Sequence, residues 1–249
     1  MVRWRIGCSG FSYKHWKERF YPAGVPQRKW FEYYCTQFNT VELNGTFYRF
    51  PRLPFLQGWY DRSPADFTFA VKAPRVITHF NQFHHSERML GDFYGAVSEG
   101  LRDKLGCVLF QLRPRMDYSE ARLHRILDAL DPAFRNVLEF RHPSWWTPDV
   151  YEDLSRRNVT FCGMSHPDLP SVVVRNSPLL YYRFHGVPDL YRSPYTAEQL
   201  ERFAGEVNDS GTTREAYVYF NNDIDASAIT NARQLSALTA SRDQAPGAP

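Results

Sequence analysis

Eight short runs of apolar and aromatic residues recur along the 249-residue chain. Together the runs are rich in Val, Phe and Tyr, and they are bounded by Pro, Asn, Asp or Gly, which is the pattern of β-strands. The runs occupy residues 4–9, 39–44, 67–72, 106–112, 136–141, 159–164, 179–185 and 216–222. The pattern therefore predicts eight strands.

Helical periodicity fills most of the intervals between these runs. Longer helices are predicted over 26–38 and 86–102, and residues 53–64 support only a short helix. Further helices are predicted to begin at Ser119, Thr147, Thr196 and either Asp225 or Ser227. Eight alternations of strand and helix predict a parallel sheet, and eight units in a chain of this length fit an α/β fold of the (β/α)₈ TIM-type barrel class.

One unit of the predicted barrel is irregular. The segment between strands six and seven, "SHPDLPSVVVRNSP" (165–178), is short and rich in proline, so we expect a loop there in place of a covering helix. The barrel is predicted as a single domain over 1–242, followed by a disordered tail over 243–249. An open doubly wound sheet is the alternative, but no GxGxxG follows the first strand and no P-loop occurs.

Alternation within the strands predicts which side chains point into the barrel. On the second strand Val41 and Leu43 suit the helix-facing side, so Glu42 and Asn44 point inward. The same alternation sends further polar side chains inward or to the strand ends, namely Ser9, Lys72, Gln111, Glu139, Arg141, Tyr181, Arg183, His185 and Asn221. Most of them fall at the C-terminal ends of strands, where barrel enzymes place their active sites. We therefore expect a ligand pocket at that face.

These segments also carry a resemblance to a known family. The motifs "IGCSGFSYKHWKERFYP", "FNTVELNGTFYRFP", "FAVKAPRVITH", "FQLRP", "LEFRHPSWW", "YYRFHG" and "YVYFNN" together resemble the DUF72 (YecE-like) family, a TIM-barrel family of unknown function, from about residue 5 to 238. The resemblance implies the barrel fold and says little about a reaction. Its motif positions are Glu42, Asn44, Tyr48, Lys72, His79, Gln111, Glu139, Arg141, His142, Trp145, Arg183, His185, Gly186, Asn221 and Asn222. One departure is the last motif, where Asp223 and Ala226 stand in place of an expected His- or Gly-containing turn.

Charge and cysteine usage narrow the class of protein. A formal net charge of +3 argues against a dedicated nucleic-acid-binding protein. The four cysteines form no CxxC pair, which favours buried free thiols over a metal site or disulfides. The N-terminus lacks the apolar segment of a signal peptide, and no run is long enough to span a membrane. We therefore expect a cytoplasmic protein that does not enter the membrane.

The predicted inward groups fall into two roles. The candidates for catalysis are Glu42, Glu139, Lys72 and His185. Substrate-binding candidates are Asn44, Tyr48, His79, Gln111, Arg141, His142, Trp145, Arg183, Asn221 and Asn222. Tyr48 and Trp145 are the candidate pocket walls, and for Trp145 a position in the core is an equally open interpretation. For both glutamates an internal ion pair is an equally open interpretation. For Lys72, anion binding or ion pairing is favoured over Schiff-base chemistry.

These roles predict an enzyme that performs acid–base chemistry on a small anionic substrate, phosphorylated or sugar-like. A divalent metal is an open alternative that the sequence does not favour, because no HxH or HExxH spacing occurs. A serine nucleophile is disfavoured by the absence of GxSxG. The other functional hypothesis is a non-catalytic binding protein for a metabolite or for single-stranded nucleic acid. Hydrolase, lyase and isomerase chemistry, and the oligomeric state, stay open.

Overall fold

Eight parallel strands form a barrel within residues 1–243, the part of the chain that the computed structural model describes. Their order in the sheet is β1-β8-β7-β6-β5-β4-β3-β2, which excludes an open doubly wound sheet and confirms the predicted TIM-type barrel. The strands are β1 (Arg3–Cys8), β2 (Thr40–Leu43), β3 (Thr68–Lys72), β4 (Leu105–Gln111), β5 (Asn136–Glu139), β6 (Thr160–Ser165), β7 (Leu179–Phe184) and β8 (Glu215–Phe220).

Helices cover most of the outer face of the barrel. They are α1 (Trp30–Cys35), α2 (Gly45–Tyr48), α3 (Leu53–Arg62), α4 (Glu87–Leu101), α5 (Glu120–Ala129), α6 (Pro148–Arg156), α7 (Ala197–Asn208) and α8 (Ser227–Asp243). The helix starts predicted at Ser119 and Thr196 are confirmed, because both residues are N-caps. The Ser119 side chain accepts from the backbone of Arg122, and Thr196 forms a full capping box with Gln199.

Three helical segments differ from the sequence prediction. The helix predicted over 26–38 is shorter, because a 3₁₀ turn (Gln27–Lys29) precedes the six residues of α1. The one-turn helix α2 and a π-helical turn (Val76–Phe80) were not predicted. Both follow strand ends, so they lie at the C-terminal face, where irregular backbone is common in barrel enzymes.

The irregular unit between β6 and β7 is confirmed. Within the described chain, no helix lies between these strands, and residues 166–178 form a loop. Asn176 fixes this loop to β6, because its side chain accepts from the Phe161 N–H at 2.9 Å and donates to the Val159 carbonyl at 2.8 Å. The predicted tail lies outside the described residues except for Asp243, which ends α8.

Two separate apolar clusters form the core. One lies between the strands and the helices and includes Val41, Leu43 and Phe140. The other fills the barrel interior, with Tyr181, Tyr217 and Tyr219 among its members. The predicted alternation of side chains is therefore confirmed, and the interior is a packed core with polar groups above it at the C-terminal end.

A seam between β1 and β2 closes the barrel through side chains. The buried Tyr34 hydroxyl, which comes from α1, accepts from the Cys8 N–H at 2.8 Å and donates to the Thr40 carbonyl at 3.0 Å. Asn39 bridges the same strands by accepting from the Ile6 N–H and donating to the Trp4 carbonyl. Near the C-terminal face, a single backbone bridge pairs these two strands directly. Side chains thus satisfy backbone groups that a regular ladder would pair.

The seam requires glycine at position 7. A Cβ atom added to Gly7 would lie 2.2 Å from the Thr40 carbonyl oxygen and 2.8 Å from the Tyr34 hydroxyl. Since a backbone oxygen cannot move aside as a flexible side chain can, any larger residue would force the strands apart.

All four cysteines are free thiols, as predicted. Cys8, Cys107 and Cys162 are buried as expected, whereas Cys35 is half-buried. Among the described residues, no helix combines the length and the apolar composition needed to cross a membrane.

We expect the substitution Tyr34→Phe to lower the free energy of unfolding by about 1–3 kcal/mol, because it leaves a buried N–H and a buried carbonyl at the seam without their partner. Urea denaturation followed by circular dichroism measures the change. Tyr33→Phe is the matched control, since the hydroxyl of half-buried Tyr33 makes no hydrogen bond to any described residue. Equal stability of the two variants would show that the Tyr34 bridge contributes nothing.

Candidate functional site

A buried guanidinium group lies at the centre of the polar end of the barrel. Arg183, on β7, is 1% exposed. One terminal nitrogen donates to Glu42 at 2.6 Å and the other donates to Glu139 at 2.7 Å. Because an unpaired charge inside a protein is very costly, these two ion pairs are what allow Arg183 to be buried.

Glu42, at the middle of β2, has both carboxylate oxygens occupied. Oε1 accepts from Arg183 and from the Ser9 hydroxyl at 2.8 Å. Oε2 accepts from the Tyr181 hydroxyl at 2.6 Å. The side chain is fully buried, so the geometry favours a fixed counter-ion over a group that exchanges protons with a substrate.

Glu139, the last residue of β5, is held in the same way. Its Oε1 accepts from Arg141 and its Oε2 from Arg183. Burial alone would raise the pKa of the Glu139 carboxyl, but the neighbouring cations, Arg141 first and Arg183 second, outweigh it and lower that pKa to about 2. Glu139 is therefore ionised at neutral pH and poorly suited to act as a general base.

His185 is a buried, neutral imidazole just beyond β7. Its Nε2 lies 2.9 Å from a terminal nitrogen of Arg141. Because a guanidinium nitrogen can only donate, Nε2 is the acceptor of this hydrogen bond. Its Nδ1 lies 3.1 Å from the Asn221 side-chain amide. Burial, with the charges of Arg141 and Arg183, lowers the pKa of His185 well below its usual value. With Nε2 accepting, the neutral ring carries its proton on Nδ1, which faces the Asn221 amide, and this arrangement favours an orienting role over proton transfer.

Lys72, at the end of β3, differs from the other charged groups. Its Nζ donates to Gln111 Oε1 at 2.7 Å and lies 4.1 Å from the centre of the Phe47 ring. An ammonium has three N–H donors, so two of them have no acceptor among the described residues. Burial, followed by the charge of Arg183, lowers the pKa of Lys72 to about 8. The amine is therefore close to its titration point at neutral pH.

The remaining rim groups surround Lys72. The His79 ring lies 5.0 Å from the Phe47 ring, and burial with the charge of Lys72 lowers the pKa of His79 to about 4. Asn44, which directly follows β2, has a buried Oδ1 with no hydrogen-bond partner in the described chain. The His79 imidazole is therefore neutral, and the buried Asn44 oxygen is an acceptor that the described residues leave without a donor.

The structure brings most predicted site residues together, but it places four elsewhere. Trp145, predicted as a pocket wall, is fully buried against Phe140 on the outer side of β5. Tyr48, the other predicted wall, is 66% exposed. His142 accepts from the Ser144 N–H at the start of a 3₁₀ turn, and Asn222 is buried against Ser193 and Asn231. These four side chains therefore have local structural contacts outside the charged cluster.

Four contributors to the site were not assigned a role from the sequence. Ser9 and Tyr181 hydrogen-bond Glu42, and strand alternation already placed both in the interior. Phe47 faces Lys72, and His166, directly after β6, has its ring 5.8 Å from that of His185. For the last two, only their position just beyond a strand end was a signal.

The charges of the cluster leave one cation without a counter-ion. The two buried carboxylates balance the two guanidinium groups, so the ammonium of Lys72 is an excess positive charge. Within residues 1–243, no three His, Cys, Asp or Glu side chains are grouped in a way that could hold a metal ion. The arrangement can bind an anion at Lys72 and can exchange a proton there.

Comparison with known proteins identifies relatives across the whole fold. A family model described as "Protein of unknown function DUF72" matches residues 5–249. The chain is 27% identical over 273 residues to the UPF0759 protein YunF of Bacillus subtilis, covering 94% of this chain and 93% of that protein. It is 28% identical over 141 residues to the UPF0759 protein YecE of Escherichia coli, where the match spans 56% of this chain and 52% of the relative.

A solved structure shows the same architecture. The crystal structure of a DUF72 family protein from Thermotoga maritima superposes with a TM-score of 0.86 at 26% identity, covering 95% of this chain and 98% of that one. The barrel is therefore shared along nearly its full length.

We expect Glu139→Gln to lower the free energy of unfolding at pH 7 by on the order of 3 kcal/mol, since the pKa falls from an ordinary 4.5 to about 2 on folding. A carboxyl whose pKa is lowered by folding stabilises the protein above its ordinary pKa. That stabilisation is lost as the pH falls from about 4.5 towards about 2. Urea denaturation of both proteins between pH 7 and pH 3 should therefore show curves that converge at acid pH.

The exposed Glu99 of α4 provides the control for this measurement. Glu99→Gln should follow the parent protein at every pH. A constant gap between Glu139→Gln and the parent from pH 7 to pH 3 would contradict the lowered pKa.

Proposed function

This chain belongs to the DUF72 family, and from the geometry of its site we propose the following function. The names of the relatives described above state no reaction. The protein binds a small anionic compound, phosphorylated or sugar-like, at the C-terminal face of the barrel. Lys72 both holds the negative charge and serves as the acid–base group that acts on it.

The excess charge of Lys72 is the observation that carries this proposal. The carboxylates of Glu42 and Glu139 accept from arginines, a serine and a tyrosine, so they do not neutralise the ammonium directly. Lys72 is only 8% exposed, so bulk water does little to solvate its charge. An anion that reached its two free N–H donors would remove an electrostatic cost already present in the empty site.

Polar neutral groups around Lys72 support a sugar-like or phosphorylated ligand. Gln111 and Asn221 present amides at the rim, and Asn44 has a free acceptor oxygen. Amides of this kind bind hydroxyl groups, while the Phe47 ring supplies an apolar wall. Arg141, whose charge Glu139 balances, adds a hydrogen-bonding guanidinium group beside His185 at the same face.

The titration of Lys72 supports an acid–base reaction. A group with a pKa near the working pH is efficient at both accepting and donating a proton. With its pKa lowered to about 8, Lys72 meets that condition, whereas Glu139 does not. The proposed reaction is therefore a proton transfer of the isomerase or lyase type, in which Glu42 and Glu139 act only by fixing Arg183.

A specific observation favours the second candidate, a non-catalytic protein that binds single-stranded nucleic acid. The Arg75 guanidinium lies 5.5 Å from the Tyr48 ring and 5.4 Å from the Phe80 ring, and both rings are largely exposed. Exposed aromatic and arginine side chains can stack on bases. Salt-sensitive binding of a short oligonucleotide, weakened by Tyr48→Ala, would favour this candidate.

We expect sulfate to bind the parent protein at pH 7. The charge of sulfate is constant between pH 7 and pH 9, the range of pH that is tested. Lys72→Met should weaken binding roughly tenfold or more, because a charge-assisted hydrogen bond is lost. Raising the pH from 7 to 9 should weaken binding to the parent, since Lys72 loses its proton with a pKa of about 8. Isothermal titration calorimetry measures both effects, and the exposed Lys14 provides the control Lys14→Met. Equal sulfate affinity for Lys72→Met and the parent would refute the anion site.

Turnover distinguishes an enzyme from a binding protein. We expect at least one sugar phosphate or sugar acid in a panel to be converted by the parent protein, as detected by nuclear magnetic resonance of the mixture. Lys72→Met should abolish the conversion, while Lys14→Met should preserve it. If sulfate binds but no compound of the panel is converted, the protein is a non-catalytic binding protein.

A further inference from the structure

A cleft opens on the outer wall of the barrel, between α2 and α3. Its volume is about 560 Å³, and its walls include Thr46, Arg49, Phe50, Arg52, Phe55 and Trp59. That volume falls within the range of cavities that bind small molecules, which is roughly 300–1,000 Å³. None of the charged groups of the Lys72 site lines it.

Aromatic side chains give this cleft an apolar surface that is open to solvent. Phe55 is 63% exposed and Phe50 is 40% exposed, and both line the cleft together with half-buried Trp59. The Phe50 ring is 6.3 Å from that of Phe93 on α4, which anchors one wall in the protein core. Contiguous exposed aromatics of this kind mark binding surfaces more often than chance exposure.

The charge of the cleft is positive and unbalanced. Arg49 and Arg52 are exposed on its wall, and the guanidinium group of neither forms an ion pair or hydrogen bond with any described residue. The lining contains no Asp or Glu. A ligand complementary to this surface has an apolar body and a negatively charged head, because the body covers the aromatics and the head meets the guanidinium groups.

We propose that this cleft is a binding site for a small amphiphilic carboxylate, an acyl- or aryl-chain acid. The concave, half-enclosed shape fits a small molecule better than the flat surface typical of a protein interface. This site is independent of the function proposed above. The helix α2 separates the two, since Thr46 lines the cleft and its hydroxyl hydrogen-bonds the backbone carbonyl of Lys72 at 2.6 Å.

Decanoate, used below its micelle-forming concentration, is the probe. We expect it to bind the protein and to bind more tightly than decanol, which lacks the charge, and than acetate, which lacks the chain. Phe55→Ala should weaken decanoate binding roughly tenfold or more, because a large exposed aromatic contact is lost. The double substitution Arg49→Gln with Arg52→Gln should reduce the preference for decanoate over decanol. Isothermal titration calorimetry measures each affinity.

Matched controls make the outcomes decisive. Phe80→Ala removes an equally exposed phenylalanine outside the cleft and should leave decanoate binding unchanged. Lys72→Met should also leave it unchanged, which separates this proposal from the sulfate site. Absence of decanoate binding, or equal binding by Phe55→Ala and the parent, would overturn the proposal. Analytical ultracentrifugation tests for self-association. If the protein self-associates and Phe55→Ala abolishes the association, the cleft binds a second copy of the chain and the proposal is also overturned.

Discussion

The burial of Arg183 between two carboxylates is the constraint on which the polar end of this barrel depends. A guanidinium group removed from water needs partners in fixed positions, and Glu42 and Glu139 provide them from β2 and β5. Ser9 adds a contact from the chain just after β1. One side chain from β7 thus links strands from both halves of the barrel, and the apolar core below it can remain free of charge.

This arrangement also determines which groups are available for chemistry. A carboxylate that already accepts two or three strong hydrogen bonds would have to break them before it took a proton from a ligand. The same holds for His185, both of whose ring nitrogens have partners. Lys72 is the exception, because one of its donors is used and its charge has no direct counter-ion in the described chain. The network therefore leaves Lys72 as the charged group of the cluster whose hydrogen-bond donors the described residues do not all use.

The sequence was sufficient to predict the barrel and the interior polar cluster, because both follow from alternation. Once Val41 and Leu43 are assigned to the helix-facing side, the direction of Glu42 is fixed, and Glu139 and Arg183 follow from the same argument. The short α2 and the π-helical turn carry no periodic signal, so Phe47 and its contact with Lys72 could not be foreseen. Aromatic residues in loops were the least predictable group.

Trp145 illustrates why loop aromatics mislead. An aromatic residue near a strand end can face the mouth or fold back over the helix-facing side, and composition does not distinguish the two. Here the indole N–H donates to the Met116 carbonyl at 2.7 Å, a partner far away in sequence. Only the three-dimensional path of the chain between β4 and α5 reveals that partner, and it directs the ring away from the mouth.

The hydroxyl of Tyr34 has a consequence for how the molecule assembles. The joint between β1 and β2 contains a group supplied by α1, so the full set of hydrogen bonds at this joint requires that helix to be docked. Closure of the barrel therefore depends on α1, the helix of the first βα unit in the chain. A barrel with a regular backbone ladder between every pair of strands could close through strand pairing alone. In this barrel, α1 supplies a side-chain hydroxyl that completes the hydrogen bonding between β1 and β2.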